Sequence, residues 1–316
     1  MDARLGRRLD EVTANMAARG NQRWIVTSIP YVWMLVFFLV PFLIVLKISF
    51  SSTEIAQPPY SPVFDVINDI WADTLDKIQA LQFENYKRLF TDSIYIESYL
   101  SSLWIAGTST LMMLFLAYPI AYGMARAPKS IRPTLVMMVI LPFWTSFLIR
   151  IYAWISILSE EGLLNSFLVS FGLIDEPIQI LSTNTAVYIG ILYSYLPFMV
   201  LPLYSALEKM DESLIEAAKD LGCTQFQAFW RVTFPLSIPG VIAGCFLVFI
   251  PAVGEFVIPD LLGGSETLMI GKTMWEEFFN NRDWPAASAV AIALLIVLMI
   301  PIIIFQSNEA RQQEMR

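Results

Sequence analysis

Glu255 is the most unusual chemical group in this chain. It stands beside Gly254 and between Pro251 and Pro259, within an otherwise apolar stretch. A charge in hydrocarbon is expensive, so a carboxylate there is a functional candidate by default. Pro and Gly interrupt helices, and interrupted helices at membrane depth line cavities, because the freed backbone groups must meet water or protein. A carboxylate so placed could compensate a cation such as a primary ammonium, and Asp260, nearer the outer surface, could do the same. Two readings stay open: Glu255 lines a path, or it pairs with Arg150 or a partner protein and only holds a bundle together. Arg150 would repel a cation, which suits a structural or gating role, and its long stem could snorkel to the outer interface. Trp144, Tyr152, Trp154, Tyr193 and Tyr195 could add cation–π attraction of about 0.5–2 kcal/mol each. Trp and Tyr near span ends also serve as plain interfacial anchors.

A second constellation is Glu216-Ala217-Ala218, followed by Gly222 and, after nine residues, Val232-Thr233-Phe234-Pro235. Glu216 to Leu221 is good helix-forming sequence, with Asp211 and Ser213 available as N-cap residues upstream. The small Ala217 and Ala218 would let another protein surface approach closely. Gly222 suits a residue of positive φ that ends the helix and reverses the chain. Pro235 and Pro239 limit how a following helix can start. An ordinary capped surface loop is the plainer reading of the same residues.

The elements that must hold these groups are membrane spans. The chain is 56% hydrophobic and only 15% charged, with a mean hydropathy of +0.59, too apolar for a soluble protein of 316 residues. Six stretches provide the roughly 20 apolar residues that a span needs: about 25–48, 99–125, 134–158, 185–207, 238–260 and 286–306. The fifth is interrupted around Glu255, and Pro197 and Pro202 should kink the fourth. Thirteen Lys/Arg fall on one side: five in the first 24 residues, Arg126, Lys129 and Arg132, then Lys209, Lys219 and Arg231, then Arg311 and Arg316. The opposite connections hold only Lys77, Lys87, Arg88, Lys272 and Arg282. The positive-inside rule then places both termini and the loop 208–237 in the cytoplasm. Residues 1–24 form a cytoplasmic arm whose Leu5, Leu9, Val12 and Met16 fall at helical spacing, as in an interfacial amphipathic helix. Residues 307–316 form a cytoplasmic tail. The outer connections are acidic, with eight carboxylates against three basic groups in 51–98, a field that could concentrate a cation or steer a basic partner.

Several chemistries are excluded on composition. With no His and two Cys, a zinc or haem site is not expected. The nearest imitation of a nucleotide-binding loop ends Gly271-Lys272-Thr273, but Glu266 stands where the first Gly must be. No nucleophile elbow or metalloprotease pair is present. Energy must therefore come from elsewhere, and no nucleic-acid partner is indicated.

The loop spacing resembles the EAA loop of bacterial ABC importer permeases, E-A-A-x3-G-x9-I-x-L-P, with Val232 and Phe234 as conservative replacements. The run Leu141 to Arg150 with Tyr152 and Trp154 is similar to the third span of putrescine/spermidine importer permeases. So are Pro251 to Pro259 with Leu261 to Gly264, and Glu277 to Pro285. This resemblance covers most of 30–305 and is closer to the putrescine-type permease. It implies an all-α membrane protein of six transmembrane helices with the type I importer fold, a peripheral first helix and a five-helix core. It also implies that Glu216, Ala217, Ala218, Gly222 and Pro235 form a coupling helix and turn docked on an ATPase. The implied partners are a second homologous permease, a homodimer of ATPase subunits that alone bind ATP and Mg, a periplasmic polyamine-binding protein, the lipid bilayer and a polyamine. A permease for another solute, such as Fe(III), thiosulfate or an amino acid, is the nearer alternative. A stand-alone secondary carrier is the farther one, disfavoured by the lack of an internal repeat.

Overall fold

The computed structural model describes residues 27–64 and 71–314. The expected amphipathic arm at 1–24 lies outside the described residues. The chain divides into two compact units, one running up to Tyr86 and taking in Asp283–Ala293, the other comprising Lys87–Arg282 and the segment from Leu294.

In the first unit, helix α1 (Thr27–Ser49) is long and apolar enough to cross a membrane, and its side chains from Thr27 to Pro41 are all exposed. It widens to π geometry at Leu35–Leu39, where the Val40 amide reaches back to the Leu35 carbonyl. Pro41 has no N–H to offer the turn before it, and the wider turn absorbs that loss. A short hairpin follows, β1 (Ser52–Thr53) against β2 (Tyr60–Ser61), antiparallel with Ser52 opposite Ser61. Lys47 ties the hairpin to the end of α1 by donating to the Pro62 carbonyl and lying 4.4 Å over the Tyr60 ring. Thr53 donates to the Asp283 carboxylate at 2.6 Å, and Tyr60 packs 6.2 Å from Trp284. The hairpin is a small β addition to an otherwise helical chain. Helix α2 (Trp71–Gln79) and helix α3 (Glu84–Thr91) complete the connection, the latter close to the helix expected at 83–90.

The second unit is built on α4 (Ser93–Arg126), which Asp92 caps by accepting from the Ile94 amide. Next come α5 (Arg132–Trp144), α6 (Phe147–Leu158), α7 (Leu163–Ser170) and α8 (Asn184–Glu208). Then follow α9 (Ser213–Asp220), α10 (Gln225–Val253), α11 (Val257–Leu261) and α12 (Ile270–Trp275). Helix α13 (Trp284–Glu314) closes the chain and carries the expected tail as helix. Among the described residues five helices are each long and apolar enough to span, and the bent α5–α7 segment makes a sixth when its two arms are taken as one span.

Two spans depart from the expected outline. The stretch 134–158 is not one helix: α5 and the α6–α7 segment meet at an 86° bend. Pro142 starts a tight 3-10 turn there, Thr145 is extended, and its hydroxyl donates to the Pro142 carbonyl at 2.8 Å. The fifth span begins far upstream of 238, at the capping box of Thr224 and Gln227, and runs through Pro235 and Pro239. Proline did not set its start because the turn Phe229–Thr233 widens to π geometry ahead of Pro235, as α1 does ahead of Pro41. Its far end falls at Gly254, short of 260. Helix α8 runs uninterrupted through Pro197 and Pro202.

The core of the second unit is the α4–α8–α10 trio, with Met113, Ala117 and Ala121 packed among Met199, Leu203 and Val248. Gly240 and Gly244, four apart on α10, let the α8 backbone come close. A methyl at Gly240 would meet Ala206 Cβ at 2.6 Å, and one at Gly244 would meet the Met199 sulfur at 2.7 Å. Small residues at this spacing are how membrane helices gain van der Waals contact without a hydrophobic driving force. Polar clasps join α12 to α4: Ser98 and Thr273 hydroxyls lie 3.0 Å apart, and the Ile270 amide donates to Ser102 at 2.7 Å. Tyr95 donates to the buried Glu277 carboxylate at 2.7 Å.

Candidate functional site: a coupling helix and an intramembrane cavity

Helix α9 carries Glu216, Ala217 and Ala218. Asp211 accepts from the Ser213 amide at 3.0 Å, which holds its carboxyl below the usual aspartate range. At the other end Gly222 adopts φ +85°. The Gly222 amide donates to Lys219 at 2.8 Å and the Cys223 amide to Ala218 at 3.0 Å, the paired bonds of a Schellman motif. The sequence expectation for Gly222 therefore holds down to the hydrogen bonds. Glu216 faces a cavity of about 360 Å³ behind the helix, shared with Tyr122, Arg126, Glu212 and Phe229. Arg126 grips Glu212 at 2.8 Å, a contact that sequence reasoning missed because its partners lie far apart in the chain. Ala217 is exposed on α9, while Leu221, at 86% exposure, and Phe226, at 72%, stand out just beyond it. Pro235 is exposed on α10, immediately past the π turn.

At the opposite end of α10, Glu255 is 8% exposed and both its carboxylate oxygens accept from nearby donors. Its Oε1 accepts from the amides of Phe256 at 3.2 Å, Val257 at 3.0 Å and Ile258 at 3.4 Å, so it caps the start of α11. Its Oε2 accepts a hydrogen bond from the Tyr195 hydroxyl. The break expected between Pro251 and Pro259 is thus real, and the carboxylate holds the freed amides. Glu255 and Tyr195 line a cavity of about 440 Å³ together with Arg150, Ser194, Phe143 and Phe256.

The other sequence candidates distribute differently. Tyr193 and Trp154 pack edge to face at 5.4 Å, and Tyr193 lies 6.0 Å beneath the Arg150 guanidinium. Trp144 and Tyr152 are exposed and do not line the cavity. Asp260 is exposed and faces Lys272 at 4.0 Å, away from the cavity. The pairing of Glu255 with Arg150 is not formed: Arg150 Nε and Nη1 are buried with no hydrogen-bond partner, as is the Ser194 hydroxyl. Ser194 and the phenylalanines of the cavity were not anticipated. An apolar ring in an apolar span carries no sequence signal of facing a cavity.

A multi-span helical subunit, with a helical turn displayed on a polar loop and a carboxylate-capped break in one span, is the architecture of a transporter permease. The chain belongs to the family of binding-protein-dependent transport system inner membrane components, whose model matches residues 13–311. It is therefore a multi-pass inner-membrane transport component. It is 41% identical over 281 residues to the spermidine/putrescine transport system permease protein PotB of Haemophilus influenzae, covering 89% of this chain and 92% of that one. Against PotB of Escherichia coli the figures are 42% over 273 residues, 86% of this chain and 92% of the other. The sulfate transport system permease protein CysT of Synechocystis is 28% identical over 235 residues, 74% of this chain and 80% of that one. Among solved structures, the fold matches a bacterial ABC transporter involved in the import of the acidic polysaccharide alginate. The TM-score is 0.68 at 17% identity, over 94% of this chain and 99% of the other. A second structure of an alginate transporter, in complex with its alginate pentasaccharide-bound periplasmic protein, gives 0.69 at 18% identity, over 94% of this chain and 96% of the other. The type I permease fold implied by the EAA resemblance is the fold observed.

Proposed function

We propose that this chain is a permease subunit of an ATP-driven importer of polyamines, putrescine, spermidine or both. The observation that carries the cargo is a buried carboxylate, Glu255, facing an aromatic-lined cavity in a chain whose relatives at 41–43% identity are named for spermidine and putrescine. A carboxylate compensates an ammonium, and ring faces add cation–π attraction.

The chain pairs with a second, homologous permease, and the translocation path runs between them. A periplasmic polyamine-binding protein delivers the cation, in keeping with the family description. A homodimer of ATPase subunits binds ATP and Mg and seats Glu216, Ala217, Ala218, Gly222 and Pro235 on its surface. Closure of that dimer moves α9, and α9 moves the spans, opening the path outward and then inward. This subunit does no covalent chemistry. Both termini and the 208–237 loop face the cytoplasm, consistent with thirteen Lys and Arg residues falling on that side. Glu255 and Tyr195 lie on the path. Trp154 and Tyr193 flank it through Arg150, while Trp144, Tyr152 and Asp260 act only where the partner permease closes over them.

The test is uptake of radiolabelled putrescine and spermidine by cells lacking their own polyamine importers and expressing this chain with its companion subunits. Import that is blocked by unlabelled polyamine, and not by sulfate, Fe(III) or amino acids, is expected. A properly assembled set that imports neither amine overturns the polyamine reading and leaves the family assignment intact.

A further inference from the structure

Arg150 carries the least satisfied chemistry in the second unit. Two of its guanidinium nitrogens, Nε and Nη1, are buried without a hydrogen-bond partner. Burying a charge without pairing costs several kcal/mol, roughly, so an arginine retained only for packing would be expected to have found an acceptor. Instead the guanidinium carbon lies 4.9 Å from the Phe143 ring centroid, 5.8 Å from Phe147 and 6.0 Å from Tyr193. Phe143 and Phe147 line the same cavity as Glu255. The ring faces that would attract an incoming ammonium are already covered by a cation of the protein itself.

The carboxylate repeats the pattern. Glu255 Oε1 is taken by three backbone amides. Oε2 receives only the Tyr195 hydroxyl, and a carboxylate oxygen can accept two bonds. One acceptor position is thus open in the cavity, and Arg150 is the one charged donor in its lining that lacks a hydrogen-bond partner at two nitrogens.

We propose that Arg150 is a built-in competitor of the transported cation. When the cavity is empty its guanidinium holds the aromatic faces and can swing to Glu255 Oε2. When an ammonium group arrives, Arg150 must yield both. The device keeps the binding of the cation weak and helps expel it, which a passage needs more than it needs affinity. This deepens the polyamine reading of the Glu255 cavity and rests on it.

The experiment is equilibrium binding of tritiated spermidine to the purified assembly of both permeases and the ATPase in lipid nanodiscs, without the binding protein. Arg150→Met removes the charge and keeps the length. It should bind spermidine about tenfold more tightly than the native chain, the worth of freeing one cation–π partner. Arg150→Gln should shift the same way, and serves if the Met variant assembles poorly. Arg150→Lys, which restores a competitor charge, should bind as the native chain does, and Glu255→Gln should bind weakest. With binding protein and ATP in proteoliposomes, the Met variant should turn over several-fold more slowly, since release is impeded. Unchanged or weaker binding in both neutral variants, with import intact, overturns the Arg150 proposal alone. If no variant binds or imports spermidine or putrescine, the polyamine reading falls and takes this proposal with it.

Discussion

Arg126 and Glu212 meet at 2.8 Å, joining the last residue of helix α4 to the N-cap residue of helix α9. A second pair, Arg132 and Glu208 at 3.6 Å, links the start of α5 to the end of α8 at the same level. Helix α9 is therefore held by a side chain from α4, beyond its own backbone connections to α8 and α10. Glu212 is largely exposed, so the pair contributes little to stability, at most about 1 kcal/mol. Its consequence is mechanical: it fixes how α9 sits against the end of α4.

Breaking that grip should separate ATP hydrolysis from transport. Glu212→Lys is expected to lower substrate uptake several-fold while the assembly still forms and still hydrolyses ATP. The exchanged pair Arg126→Glu with Glu212→Lys should recover part of the loss. Measuring ATPase and uptake together on one preparation checks this, and equal uptake in the single variant and native chain would remove the role assigned to the pair.

Gly222 is a conformational requirement rather than a steric one, because nothing lies within 4 Å of where its Cβ would be. A β-branched residue at φ +85° costs about 1–2 kcal/mol. Gly222→Val should therefore unwind the last turn of α9 and reduce uptake strongly, with membrane insertion unaffected. Gly222→Asn, which tolerates that region, should stay near native activity. A Val variant that transports as well as the Asn variant would argue against a fixed turn.

Tyr195→Phe removes the one side-chain donor to Glu255 and leaves its three amide bonds. A hydrogen bond to a charged group is worth about 1.5–3 kcal/mol, so the carboxylate should lose rigidity and uptake should fall markedly. Glu255→Ala should be worse, because it also frees three amides at the start of α11. The expected order of uptake is native, then Tyr195→Phe, then Glu255→Ala. The reverse order of the two variants would place the main role on the tyrosine.

Gly244→Leu inserts a side chain where even a methyl would meet the Met199 sulfur at 2.7 Å. Overpacking of this kind costs about 1–3 kcal/mol and should lower the melting temperature of the purified assembly by several degrees. Gly107→Ala, where nothing lies within 4 Å of the added carbon, is the matched control and should melt as the native chain does.

Much of this architecture is readable in the sequence, for identifiable reasons. Span content follows from apolar length alone, and Gly222 follows from the one residue type that ends a helix with positive φ. The interruption at Gly254-Glu255 is legible because Pro, Gly and a charge coincide there. The 86° bend at Thr145 is not, since Pro142 alone is tolerated within spans elsewhere in this chain, as Pro197 and Pro202 in α8 show. Pairings over long separations, Arg126 with Glu212 or Tyr195 with Glu255, leave no local trace either. Their partners are brought together only by the packing of α4, α8 and α10.

Gly271 sits where α12 meets the break in α10, and a carbon added there would run into the carbonyl oxygens of Gly254 and Glu255. Main chain rests directly on main chain, with no side chain between them to tilt or compress. A cushion of rotamers would swallow a small displacement. Bare peptide groups in contact behave instead like gear teeth without backlash. Any shift of α12 is passed at once to the peptide that carries the Glu255 carboxylate, and any shift of that peptide returns to α12.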